Sequence, residues 1–261
     1  MSAPSGHAVL PGSAPTGSAA VTAVTVDLDD TLYPQSSFLA GAWARVAEVA
    51  ADHGLAGAEV QAALTATAAE GSDRGTIIDR ALLLVGVAPE RLRLLLPPLV
   101  EAFSSFAPDS LECYPGVLDG LRRLRSRVPL AVITDGNAAG QRAKLAALGL
   151  TDAFDAVVVS DDMGGRHLRK PHPAPFRAAL ARLGSGPAGT VHIGDRPTKD
   201  VEGTARVGMR CVRVLTGEYA GVPAAPASPP WLTVPDFATA VAVLEPLLPR
   251  HLREDAWLAG R

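Results

Sequence analysis

Val21-Thr22-Ala23-Val24-Thr25-Val26-Asp27-Leu28-Asp29-Asp30-Thr31-Leu32 runs from an apolar, β-rich stretch straight into two carboxylates one residue apart. Side chains at i and i+2 of a strand lie on one face. Asp27 and Asp29 are therefore expected together at the carboxyl edge of a sheet, unless the turn after the strand re-aims the second. Two acids so placed repel each other unless a metal ion or a shared proton compensates. One can then attack an electrophile while its neighbour handles protons, the division of labour that covalent catalysis requires. An Asp-x-Asp pair also caps helices and solvates turns, and the rest of the chain must decide between these readings.

Outward from this stretch, strand-like and helix-like segments alternate, the pattern of an α/β fold with a parallel sheet. Further strands are predicted at Leu130–Thr134, Phe154–Ser160, Thr190–Ile193, Cys211–Leu215 and, more weakly, Trp231–Val234. Helices are predicted at Gly116–Ser126, Ala139–Leu148, Pro173–Leu183, Asp200–Val207 and Phe237–Leu247. Between Tyr33 and Tyr114 the rhythm breaks. Three or four helical patterns fill that interval, at Ser37–His53, Ala58–Glu70, Thr76–Val85 and about Pro89–Phe106, with glycines as stops. The division expected is a leader at 1–20, a core at 21–32 and 115–248, a helical insertion at 33–114 and a tail at 249–261.

The chain has 261 residues and a net charge of -3, too small and too evenly spread to suggest nucleic acid or a membrane surface as partner. The basic cluster Arg122, Arg123, Arg125 and Arg127 reads as a solvated helix face. No apolar run reaches the roughly 20 residues of a membrane helix. The Ser/Ala/Gly/Pro-rich leader has no basic n-region and no apolar h-region, so a cytoplasmic protein with a disordered leader is expected. Cys113 and Cys211 lie far apart in no metal-spaced motif and read as buried free thiols.

Four strand ends carry polar groups of a matching kind: Asp27/Asp29, Thr134-Asp135-Gly136, Lys170-Pro171, and Gly194-Asp195-Arg196-Pro197-Thr198-Lys199-Asp200. In an open α/β sheet, ligands bind outside the carboxyl ends of the strands, so the four groups converge on one crevice. Asp27, Asp29 and Asp195 offer the hard oxygens that Mg²⁺ prefers. Thr134 offers a hydroxyl, and Lys170 a mobile positive charge. A metal and a lysine together suit phosphoryl transfer to a carboxylate.

In these motifs the chain resembles the haloacid dehalogenase-like (HAD) superfamily, over about residues 21–248. Asp-x-Asp-x-Thr stands at Asp27–Thr31, the hydroxyl motif at Thr134, the lysine motif at Lys170 and Gly-Asp-x-x-x-x-Asp at Gly194–Asp200. The resemblance implies a Rossmann-like core and a helical cap of the first type at about 33–114. It implies Asp27 as nucleophile, forming an aspartyl-phosphate, and Asp29 as general acid and then base. Thr134 and Lys170 would bind the phosphoryl group, with Asp135 bordering it. Mg²⁺ would be held by the Asp27 carboxylate, the Asp29 backbone carbonyl and Asp195, with Asp200 ordering metal-bound waters or Lys170. Dehalogenases of the family lack the second acid, and phosphonatases replace it and use a cap lysine. This chain has Asp29 and only Lys144, Lys170 and Lys199, none of them within 33–114. The activity implied is hydrolysis of a small phosphorylated metabolite, with no nucleic acid or membrane partner and an open oligomeric state. A non-catalytic phospho-ligand-binding protein and a phosphomutase are the alternatives.

Around these groups plainer roles are expected. Thr31 reads as a turn cap as readily as a phosphate contact, Asp135 as a turn-holder as readily as a site residue, and Asn137 as a helix cap. His167 and His172 read as solvated, and Arg166 and Arg169 as exposed charge. Packing accounts for Tyr33, Phe38 and Trp43 better than recognition does.

Overall fold

The computed structural model describes residues 20–253 except residue 73, so the leader (but for residue 20) and the last eight residues lie outside the described residues. Six strands form one parallel sheet: β1 (Ala23–Val26), β2 (Leu130–Thr134), β3 (Ala156–Val159), β4 (Thr190–Gly194), β5 (Arg210–Val214) and β6 (Leu232–Val234). Their order is β3-β2-β1-β4-β5-β6. The expected α/β, Rossmann-like architecture is therefore what the chain adopts. Every residue of β1, β2 and β4 is buried, as near-continuous apolar runs in a parallel sheet covered on both faces must be.

The α-helices are α1 (Gln35–Asp52), α2 (Gly57–Ala68), α3 (Ile77–Leu84), α4 (Pro89–Ser104), α5 (Val117–Arg125), α6 (Ala138–Ala147), α7 (Pro173–Leu183), α8 (Glu202–Ala205) and α9 (Phe237–Leu244). Two compact units result among the described residues, one within 20–34, 113–136 and 150–253, the other within 35–112 and 137–149. The first holds the sheet. The second is all-helical and gathers Trp43, Leu64, Leu82 and Leu99 into one apolar core. Helix α6 belongs to this helical unit, where Lys144 sits over the Phe38 ring at 4.3 Å. A lysine thus packs with the helical unit after all, although none lies in 33–114.

Local chemistry sets the ends. Asn137 caps α6 by accepting from Gly140 N at 3.2 Å, as expected. His172, read as solvated, caps α7 instead: its Nδ1 accepts from Ala174 N at 3.2 Å, and Pro173 follows. Helix α9 ends at Leu244, three residues earlier than expected, and a 3-10 turn carries the chain through Pro246. The segment Asp200–Val207 is not one helix. A π-turn spans Pro197–Val201 before α8, because Asp200 turns its carboxylate back onto the Arg196 amide. The basic cluster is more than a solvated face. Arg123 pairs with Asp119 and Glu245, Arg125 donates to the Asp152 carbonyl, and Arg127 to the Pro249 carbonyl. Cys211 is buried but Cys113 only half-buried; both are free.

Candidate active site

Strand β1 delivers Asp27 to the carboxyl end of the sheet, where its amide bonds to the Ile193 carbonyl at 2.9 Å. The chain then turns sharply. Asp30 is left-handed at φ 58°, a conformation that costs an L-residue energy. The loop after β5 holds it there: Glu218 N donates to Asp30 Oδ2 at 3.2 Å, and the Thr216 hydroxyl to the Asp30 carbonyl at 2.5 Å. Gly217 is required in that loop, since a Cβ there would lie 2.1 Å from Asp30 Cγ. The turn re-aims Asp29, which is half-buried while Asp27 is buried.

Lys170 is buried and its Nζ reaches three acceptors: an Asp27 oxygen, Asp200 Oδ1 at 2.7 Å and the Ile133 carbonyl at 3.2 Å. Asp135 accepts from the Lys170 amide at 3.0 Å and pairs with Lys199 at 3.3 Å, which makes it a holder of the lysine loop. Thr134 ends β2 and is buried. Arg169, read as exposed, forms a two-pronged pair with Asp161 at 2.7 and 2.5 Å.

Asp195 and Asp200 follow β4. Oxygens of Asp27, Asp195 and Asp200 lie within 4.8 Å of one another. Asp200 is fully engaged: Lys170 and His192 Nε2 (3.2 Å) meet Oδ1, and Arg196 N meets Oδ2 at 3.0 Å. Gly194 makes this approach possible, because a Cβ there would stand 2.5 Å from Asp200 Cγ. Asp195 differs. Among the described residues, its Oδ1 receives only the Thr31 hydroxyl at 3.5 Å, and its buried Oδ2 has no hydrogen-bond partner.

The electrostatics follow from this crowding. Burial pushes the Asp27 carboxyl up to about 7; Lys170 pulls it down, while Asp200 and Asp29 add to the rise. Burial, then Asp200 and Asp27, hold Asp195 well above the usual range. Burial favours the neutral form of Lys170, but Asp200, Asp27 and Asp135 outweigh it and raise the ammonium's pKa. Lys170 pairs with Asp27 and Asp200 but not with Asp195, and the mutual repulsion of the three clustered carboxylates, once ionised, is what a divalent cation would offset. The bare Asp195 oxygen and the all-oxygen donor set fit a hard cation.

Two residues of this centre escape a reading of the sequence. His192, buried in β4, joins Thr25 Oγ1 at 2.8 Å through Nδ1 to Asp200 through Nε2. Burial lowers its pKa and keeps it neutral. The faint signal was its place directly opposite Thr25, a polar pair inside two apolar strands. Tyr33, read as packing, has a wholly buried ring whose hydroxyl donates to Asp29 Oδ1 at 2.5 Å.

The model of the haloacid dehalogenase-like hydrolases matches residues 21–208 of this chain. The chain belongs to that family. Among HAD relatives, a glyceraldehyde 3-phosphate phosphatase of Methanopyrus kandleri is 34% identical over 205 residues, 76% of this chain and 86% of its own. A phosphoserine phosphatase of Thermus thermophilus is 36% identical over 148 residues, 56% of each chain. The structure of a 2-haloacid dehalogenase from Pseudomonas syringae superposes with a TM-score of 0.59 at 26% identity, covering 86% of this chain and 98% of that one. Within the HAD superfamily this chain is a phosphatase. No helix among the described residues is long and apolar enough to cross a membrane.

Proposed function

We propose that this HAD phosphatase is a cytoplasmic, Mg²⁺-dependent phosphomonoester hydrolase of a small phosphorylated metabolite, working through an aspartyl-phosphate on Asp27, with the helical unit as its cap. The observation that carries the reading is the buried pair Asp27–Lys170 beside the unpartnered Asp195 Oδ2. Names of relatives, glyceraldehyde 3-phosphate and phosphoserine phosphatases, support a small, anionic substrate. The Asp27 carboxylate, the Asp29 backbone carbonyl and Asp195 would hold Mg²⁺. When bound, Mg²⁺ neutralises charge on the transferring phosphoryl group.

In the first half-reaction an Asp27 oxygen attacks phosphorus as the ester P–O bond breaks. The leaving oxygen takes the proton of the Asp29 carboxyl. Lys170 and the Thr134 hydroxyl donate to the phosphoryl oxygens, and Asp200 keeps the ammonium aimed at Asp27. In the second half-reaction the Asp29 carboxylate accepts a proton from water. The water oxygen bonds to phosphorus, the Asp27–phosphorus bond breaks, and inorganic phosphate leaves with both aspartates restored. The test is a screen of phosphorylated metabolites with phosphate detection, with and without Mg²⁺, for the wild type and Asp27→Asn. Metal-dependent release that vanishes in the variant supports the reading; release that survives in Asp27→Asn sinks it. Phosphate moved to an acceptor, with no inorganic phosphate freed, identifies a mutase instead.

A further inference from the structure

Strand β5 carries a buried arginine that the mechanism above does not use. Arg213 stands opposite Gly194, the residue before Asp195, in the β4–β5 ladder. Its guanidinium forks between two backbone carbonyls: Nε donates to that of Asp195 at 3.1 Å and Nη2 to that of Tyr219 at 2.7 Å. Taking a guanidinium out of water is costly, and neutral carbonyls offset less of that cost than a carboxylate would. The two carbonyls lie on separate segments, so the fork ties one segment to the other. Both segments build the centre. The Asp195 carbonyl and the Arg196 amide are the two edges of one peptide group. Arg213 holds the carbonyl edge, and the amide edge donates to Asp200 Oδ2 at 3.0 Å, so this peptide plane is fixed from both sides. The Tyr219 segment is the loop whose Thr216 and Glu218 clamp Asp30. The Arg196 guanidinium lies 4.4 Å from the centre of the Tyr219 ring, a second tie between the same two segments.

We propose that Arg213 is a positioning residue for the metal centre: by holding the Asp195 peptide against the Tyr219 segment, it keeps the Asp195 carboxyl in place beside Asp27. This rests on the function proposed above and deepens it. The Asp195 side chain has little support of its own among the described residues, since only the Thr31 hydroxyl, at 3.5 Å, meets it. Its position beside Asp27, with oxygens of the two within 4.8 Å, therefore comes from the backbone. Mg²⁺ demands near-ideal geometry of its oxygens, so an Asp195 set loose on its peptide should bind it less well. Among the described residues the Arg213 guanidinium makes no hydrogen bond to Asp27 or Lys170, so its loss should fall on metal binding rather than on the chemical step.

Calorimetric titration of the full chain, stripped of metal by a chelator, with Mg²⁺ alone reads this without turnover. Arg213→Met keeps an unbranched, buried side chain and removes both donors. It should bind Mg²⁺ about 10- to 100-fold more weakly, the range for partners that orient metal ligands. The Mg²⁺ concentration that gives half-maximal turnover should rise by the same factor, while kcat at saturating Mg²⁺ returns toward the wild-type value. Leu64→Ala separates positioning from mere loss of stability: it weakens the apolar core of the helical unit and should bind Mg²⁺ as the wild type does. Wild-type Mg²⁺ binding by Arg213→Met would overturn the proposal, and so would an equal weakening in Leu64→Ala. Should Arg213→Met not fold, Arg213→Lys takes its place, keeping the charge but not the planar fork; weaker Mg²⁺ binding supports the proposal and unchanged binding overturns it. A wild type that binds no Mg²⁺ yet releases phosphate through Asp27 would instead remove the metal from the function proposed above, and this inference with it.

Discussion

Asp27, Lys170, His192, Asp195 and Asp200 are all buried in the sheet unit, where Lys170 joins Asp27 to Asp200, His192 meets Asp200, and oxygens of the three aspartates lie within 4.8 Å of one another. The interior of the helical unit is built instead from Leu64, Leu82, Leu95 and Leu99, with Trp43 stacked on Phe103 at 4.6 Å. An apolar interior tolerates change in proportion to the volume removed. A buried ionic interior does not, because taking away one partner strands the others. The two units should therefore fail differently, one through stability and the other through chemistry.

The largest effect expected is on the chemical side. Asp27→Asn should lower kcat by about 10⁴-fold or more, roughly 5.5 kcal/mol of barrier, while the far-ultraviolet circular dichroism stays that of the wild type. Residual turnover near the wild-type rate would erase the contrast. On the apolar side, Leu64→Ala, at a fully buried position of α2, should cost about 2–5 kcal/mol of stability in denaturant titration. Turnover per folded molecule should stay unchanged, and a fall in kcat would show that the two units do not fail separately.

Smaller effects fall between these extremes. His192→Leu removes the partner of Thr25 Oγ1 and one of the partners of Asp200, and should cost ~1–3 kcal/mol of stability. It should also lower kcat by about 10- to 100-fold through a displaced Lys170, with partial recovery in His192→Gln. A stability loss with kcat intact would class His192 with the apolar core. The smallest effect is electrostatic and lies away from the centre. Burial raises the Asp155 pKa, but hydrogen bonds from Arg253 and the Leu130 amide and the charges of Arg253 and Arg125 outweigh it, so the folded value is depressed. A depressed carboxyl stabilises the fold above its unfolded value of about 3.9, and this is lost as pH falls through the folded value. The melting-temperature advantage of the wild type over Asp155→Asn should thus be constant near neutrality and shrink toward pH 3. A difference independent of pH would refute the assignment.

The parts of this molecule that could be read from the chain are those where one local signal suffices. The runs Leu130–Thr134 and Thr190–Gly194 are apolar enough to be buried strands in any context, and polar residues at their ends locate the crevice. The Lys170 loop and Gly194-Asp195 announce themselves by type and spacing. What stayed hidden depends on partners remote in sequence. Periodicity makes Ala138–Ala147 a helix but does not say that it packs with the helical unit. A tyrosine at position 33 reads as packing because its ring does pack; only the fold aims its hydroxyl at Asp29. A lone histidine in a strand has no signature at all until Thr25 and Asp200 flank it.

The strand order places β1 between β2 and β4, and this sets a timetable for a chain emerging from the ribosome. Thr25 and His192 are 167 residues apart, and Asp30 and Glu218 are 188. At roughly 5–20 residues per second, the first strand waits about 10–30 s for its second neighbour and the acidic turn somewhat longer for its clamp. The helical unit, by contrast, needs only the stretch to residue 149. Competence is thus withheld until most of the chain has been made, and a nascent or truncated product carries the acidic motif without the means to use it.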